Sequence, residues 1–115
     1  MKILSESKNG KVFLCEKCSA IHIEFLNFGF NFNKKQYDHF KKYINNIDAD
    51  YWEERNNKSL YIRKIVIPFE KNNISLLLNK AELDELKKLL CTIQTKTKGL
   101  KYLVYEELKH YASKN

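Results

Sequence analysis

Apolar and polar residues alternate through the first third of the chain with the period of a half-buried strand. Lys11-Val12-Phe13-Leu14-Cys15 is a short β segment that enters a cysteine pair, Cys15-x-x-Cys18, and another β segment leaves it. In the second segment Ile21, Ile23 and Phe25 alternate with His22, Glu24 and Leu26. Phe28, Phe30 and Phe32 then alternate with Gly29 and Asn31, which predicts a further strand. Asn27 is the expected turn residue between the two, because asparagine tolerates the left-handed backbone that tight turns use. After Phe32 the period changes. Tyr37, Phe40, Ile44 and Ile47 recur three and four apart, the stripe of a helix that Asn33 can cap. Asp48 is expected to begin a short turn holding Tyr51 and Trp52.

The second half follows the same plan. Leu60 to Ile67 reads as a strand that stops at Pro68, since proline lacks the ladder donor. Residues 70–73 predict a turn and Ile74 to Leu78 a returning strand. Asn79 then caps a helix with Glu82 three residues on, and Leu83, Leu86, Leu90 and Ile93 form its apolar stripe. The two helix starts align at a constant offset with identical residues at Asn33/Asn79, Lys34/Lys80, Asp38/Asp84, Lys41/Lys87 and Lys42/Lys88. That pattern is either an internal duplication or the convergence of two capped amphipathic helices that each follow a strand. Both helices need a sheet to cover their apolar faces. Beyond Gly99, Leu100, Leu103, Val104, Leu108 and Tyr111 fall at helical spacing and predict a further docked helix. The expected fold is α+β: an antiparallel sheet with two amphipathic helices packed on it, as a ββα-ββα pseudo-repeat, plus a C-terminal helix. Residues 1–115 are read as a single domain. Its parts are a first unit at 8–50 carrying the CxxC hairpin, a second at 59–94, and the C-terminal helix at 100–112.

Composition narrows the class. Hydrophobic residues make up 43% and aromatics 13% of the 115 residues, so a folded core is expected rather than disorder. With one proline and three glycines, no flexible linker is written into the chain. No apolar run approaches the roughly 20 residues that span a bilayer, and Met1-Lys2-Ile3-Leu4-Ser5-Glu6 turns polar too early for a signal peptide. A cytoplasmic location without membrane attachment is therefore expected. The net charge of +7 raises a nucleic-acid partner. Against it, only Arg55 and Arg63 among the 21 basic residues are arginine, the side chain whose planar fork phosphate and base recognition favours.

Candidate chemistry centres on Cys15 and Cys18. Their spacing is half of a structural zinc site, in which two thiolates from one tight turn ligate the ion. A closed site takes four ligands; His22 is the nearest candidate for the rest, and Cys91, His39 and His110 are the other options, with no spacing rule linking them. If residues 19–22 are extended, His22 lies roughly 13 Å from Cys18, so the strand would have to start later for it to ligate. A homodimer could supply a second cysteine pair. A thioredoxin-type dithiol needs a helix after the pair to lower the first thiol's pKa, and here a β pattern follows. The remaining reading is that of plain reduced thiols, three in number and so no disulfide framework. His39 and His110 fall off their helices' apolar stripes. No phosphate-binding glycine loop and no nucleophile with a placed base is present, so no catalytic residue is assigned and the protein is not expected to be an enzyme.

The combination of Cys15-x-x-Cys18, Ile21-His-Ile-Glu-Phe25 with Asn27, Asp50-Tyr51-Trp52-Glu53 and Arg63-Lys-Ile65-x-Ile67-Pro68 resembles a family of small uncharacterised proteins from Bacteroidetes-type bacteria. The resemblance covers roughly residues 8 to 94 and implies the domain plan and a bacterial setting, with no established activity. The reading that results is a non-enzymatic binding or interaction module, with a protein partner or a second copy, and zinc at Cys15 and Cys18. The alternative is a nucleic-acid-binding regulatory protein.

Overall fold

The computed structural model describes residues 1–17, 19–69 and 73–91. The fold is α+β. Four strands, β1 (Lys2–Ser7), β2 (Gly10–Cys15), β3 (Ala20–Phe25) and β4 (Phe28–Phe32), form an antiparallel meander in the order β1-β2-β3-β4. Helices α1 (Lys34–Asn45) and α2 (Ala49–Arg55) follow, then β5 (Ile65–Pro68), β6 (Ser75–Leu78) and α3 (Lys80–Cys91). Strands β5 and β6 pair antiparallel in a separate two-stranded sheet rather than extending the first. Each strand pair leads into a capped helix, but β1 at the start and α2 in the middle have no counterpart in the other half.

Local chemistry explains the boundaries. Asn33 Oδ1 accepts from the Gln36 amide at 2.8 Å while Gln36 Oε1 accepts from the Asn33 amide at 2.9 Å, a complete capping box. Asn79 and Glu82 repeat it at the start of α3, with both bonds at 2.8 Å. Asp48, expected to start only a turn, caps the seven-residue α2 through the amides of Asp50 and Tyr51. Pro68 ends β5, where its missing donor removes no ladder bond. Two expectations are corrected. The left-handed residue of the β3–β4 turn is Leu26, with φ 55°, not Asn27. The strand expected from Leu60 begins only at Ile65, because β6 offers four residues to pair with.

The core draws on every strand layer: Val12, Leu14, Ile21, Ile23 and Phe25 from the meander, Ile65, Ile67, Leu76 and Leu78 from the small sheet, and Ile44, Leu83, Leu86, Leu89 and Leu90 from the helices. β1 carries a bulge between Ile3 and Ser5, which turns Leu4 and Ser5 both inward. α3 contacts β1 and β2. Its Glu85 accepts from Ser7 Oγ at 2.6 Å, the Asn9 amide at 2.8 Å and Asn9 Nδ2 at 2.8 Å, clasping the β1–β2 turn. Burial by itself pushes the Glu85 carboxyl up, but these three donors together outweigh it and hold it below the usual carboxylate range. Among the described residues no helix is long and apolar enough to cross a membrane. The expected helix at 100–112, and Ile93, lie outside the described residues.

Candidate functional site

The side of the meander opposite the core carries the residues singled out for chemistry. Across it runs a row of paired positions, Ile3, Phe13, His22 and Asn31. The His22 ring stacks on Phe13 with centroids 5.0 Å apart, and its Nδ1 is hydrogen-bonded to Asn31 Oδ1. A recess of about 230 Å³ opens here, gathering His22, Glu24, Asn27 and Asn31 between the rings of Phe13 and Phe28. It holds two titratable groups and no serine, threonine or cysteine nucleophile along its lining.

Cys15 ends β2 opposite Ala20, on the face that also bears Phe13 and His22. It is disulfide-bonded, where a thiol or thiolate was expected. A disulfide sulfur lacks the thiolate charge that holds zinc, so ligation by Cys15 requires its reduction first. Cys18 lies outside the described residues. Cys91 is a free thiol at the end of α3, donating to Asn45 Oδ1 of α1 at 2.8 Å. His22 is tied to Asn31 in mid-sheet. Among the described residues, which do not include Cys18, no three His, Cys, Asp or Glu side chains converge on a common point.

Two larger openings, each with titratable side chains in its lining, were not marked by the sequence. The first is a groove of about 810 Å³ flanked by Leu26, Phe28, Leu60, Tyr61, Ile62 and Leu76. Leu60 is 102% and Ile62 91% exposed, and Tyr61 and Leu26 are 51% and 37% exposed. The loop presenting them is fixed by its polar ends rather than by packing. Lys64 Nζ donates to the Ser59 carbonyl at 3.0 Å, and Asn56 Nδ2 donates to the Lys64 carbonyl at 2.7 Å. Arg63 forks onto Glu82 at 2.7 and 3.1 Å, which holds the Glu82 carboxyl below its usual range and anchors the loop to the start of α3.

The second is an aromatic cleft of about 990 Å³ between β4, α1 and the end of β5. Phe30 lies 5.1 Å from Phe40 and 5.4 Å from Phe69, and Phe32 lies 5.3 Å from Phe40, centroid to centroid. All four rings are only partly buried against the core. Tyr43, Ile67 and Pro68 extend the apolar wall, and Gln36, His39, Lys42 and Asn46 form its polar rim. A sequence pattern can say that Phe30 and Phe40 face inward, but whether another element covers them is decided by the arrangement in space.

These surfaces belong to a small α+β protein whose two larger recesses are lined mostly by apolar side chains. The sequence matches, over residues 1–115, the family described as a family of unknown function (DUF6686), and the chain belongs to that family. The match includes residues 95–115, beyond the span of the resemblance noted from the motifs. No curated protein and no solved structure matches the chain.

Proposed function

We propose that this protein is a non-enzymatic interaction module that binds a protein partner, a second copy of itself being the first case to test, through the Leu26–Leu60–Ile62 groove. The observation that carries the reading is the near-complete exposure of Leu60 and Ile62 on a loop fastened by Lys64, Asn56 and Arg63. Exposing two large aliphatic side chains forgoes roughly 1.5–3 kcal/mol of burial each. Leu26 adds to the argument. It is apolar, exposed, and held at a positive φ that costs a non-glycine residue on the order of 1 kcal/mol. Folding favours none of these choices, whereas a partner that buries them accounts for all. The loop and the groove beside it form one patch, so two copies related by a two-fold axis could each offer both knob and hole.

The nucleic-acid reading gains no support from the two arginines. Arg63 is engaged by Glu82, while Arg55 donates to Tyr51 Oη at 2.8 Å and lies 5.7 Å above the Trp52 ring. Sedimentation velocity from micromolar to near-millimolar protein tests the proposal. The expected result is a sedimentation coefficient that rises with concentration, and a Leu60→Ser/Ile62→Ser variant that stays monomeric with an unchanged melting temperature. A wild-type chain that is monomeric throughout, with a double variant that melts several degrees lower, would assign the loop to the fold and overturn the reading.

A further inference from the structure

The two edges of the meander differ in a way that folding alone does not require. β1 is defended against pairing with another chain: it carries a bulge between Ile3 and Ser5, and Lys2 and Glu6 lie along it. β4, at the other edge, is Phe28-Gly29-Phe30-Asn31-Phe32, with no charge, no proline and an uninterrupted register against β3. The turn before it fixes which backbone groups face outward. A two-residue turn is closed by a hydrogen bond between its flanking residues, here Phe25 and Phe28. Hydrogen-bonded pairs alternate with non-hydrogen-bonded ones along antiparallel strands. Phe28, Phe30 and Phe32 therefore turn their N–H and C=O groups to β3, while Gly29 and Asn31 turn theirs outward. Among the described residues no strand pairs with that outer side.

We propose that a second copy of this chain pairs there, β4 against β4, antiparallel about a two-fold axis through Phe30. The strand is its own complement. Phe30 falls opposite the partner's Phe30, and Phe28 opposite the partner's Phe32, so aromatic meets aromatic on the side that faces the core. Gly29 falls opposite the partner's Asn31, and these are the residues whose N–H and C=O groups point across the seam. A register shifted by one residue would set outward groups against inward ones, whereas the two-fold register satisfies them all. The meanders of the two copies then form one continuous sheet. A five-residue strand pair is too short to hold a dimer alone, since stable interfaces bury about 1,200 Å² or more. The inference therefore rests on the interaction-module reading. Phe28 lines the Leu26–Leu60–Ile62 groove, and the pairing brings the partner's Phe32 to that groove.

Hydrogen exchange read at single residues tests the pairing. The Gly29 and Asn31 amides should exchange several-fold more slowly in near-millimolar than in micromolar protein, with Phe28, Phe30 and Phe32 protected at both. Fast exchange of Gly29 and Asn31 at both concentrations would overturn the pairing, and if such protein still associates the groove reading stands. Protection at both concentrations in a protein that sediments as a monomer would also overturn it, by showing that the chain's own residues cover the edge. Protection that persists in Leu60→Ser/Ile62→Ser would uphold the pairing and overturn the groove. Asn31→Pro supplies a second measurement, because it removes an outward donor and leaves the β3 ladder intact. It should stay monomeric where the wild type associates, as should Asn31→Ala, which loses the side-chain bond to His22 and keeps the backbone donor. Asn31→Pro that associates as readily as Asn31→Ala would overturn the proposal.

Discussion

Tyr37 shows how one residue can tie the stability of the fold to pH. Its ring lies in the core and its hydroxyl donates to the Leu90 carbonyl, joining α1 to the end of α3. Burial, with smaller contributions from Cys91 and Asp38, pushes its pKa far above the ordinary tyrosine value. The folded state thus keeps the proton that the unfolded chain releases near pH 10, the usual value for tyrosine. Stability from this group is complete below that pH and falls as pH rises through and beyond it. Tyr37→Phe should cost about 0.5–1.5 kcal/mol at neutral pH, for the lost hydrogen bond, and should flatten the fall in melting temperature above pH 10. Thermal melts from pH 7 upward check both effects. An equally steep alkaline fall in the variant would place the titrating group elsewhere. Glu85 has the opposite sign. Its depressed pKa means that the clasp on the β1–β2 turn is intact above the ordinary carboxylate range and is lost as pH falls through the lowered value. The helix stripe pointed Tyr37 inward, but its hydroxyl partner was not legible, because Leu90 is brought to it only by the packing of two helices distant in sequence.

Among the secondary-structure elements, those with strong local signals were readable and those set by pairing were not. Both capping boxes follow from an Asn with Gln or Glu three residues on, and both helices start where that signal lies. β1 was missed because its bulge puts Leu4 and Ser5 inward together, breaking the alternation that marks a strand. Leu60 to Lys64 looks like strand by composition, yet a strand exists only where a neighbour supplies a ladder. Gly10 illustrates what the pairing of α3 with the meander demands. A Cβ there would stand 2.7 Å from the Glu24 carbonyl oxygen and 2.8 Å from Leu89 Cδ2. The first neighbour is sheet backbone and the second belongs to a buried helix face, so neither yields cheaply. Gly10→Ala should destabilise by about 1–3 kcal/mol, a fall in melting temperature on the order of 4 °C or more. Gly29→Ala is the matched control, since its Cβ would meet nothing within 4 Å. Equal melting temperatures for the two variants would mean that α3 does not press on the meander at Gly10.

Together, the described residues place one core between a meander, a small hairpin and three helices, with two largely apolar grooves among them. The two described cysteines stand apart from that core. Cys15 lies at the end of β2 on the meander's far face, and Cys91 at the exposed end of α3. The sequence made the Cys-x-x-Cys its most chemical feature, because residue type and spacing are what a sequence displays. It could not display the Leu60–Ile62 loop or the aromatic cleft as surfaces, since those residues read as strand and helix interior until their neighbours are placed. A metal that organises a small fold contributes much of its folding energy, as in domains that unfold when it is removed. Here the aliphatic and aromatic core closes among Ile21, Ile23, Phe25, Ile44, Ile65, Leu83 and Leu86 with no described cysteine in it. Melting temperature should therefore move by less than about 2 °C when the protein is treated with a strong chelator under reducing conditions, since losing a structural zinc would remove on the order of 10 kcal/mol. A collapse of the thermal transition on chelation, reversed by added zinc, would show that Cys15 and Cys18 hold a structural ion. The Cys-x-x-Cys turn would then be a second folding centre rather than an appendage of the sheet.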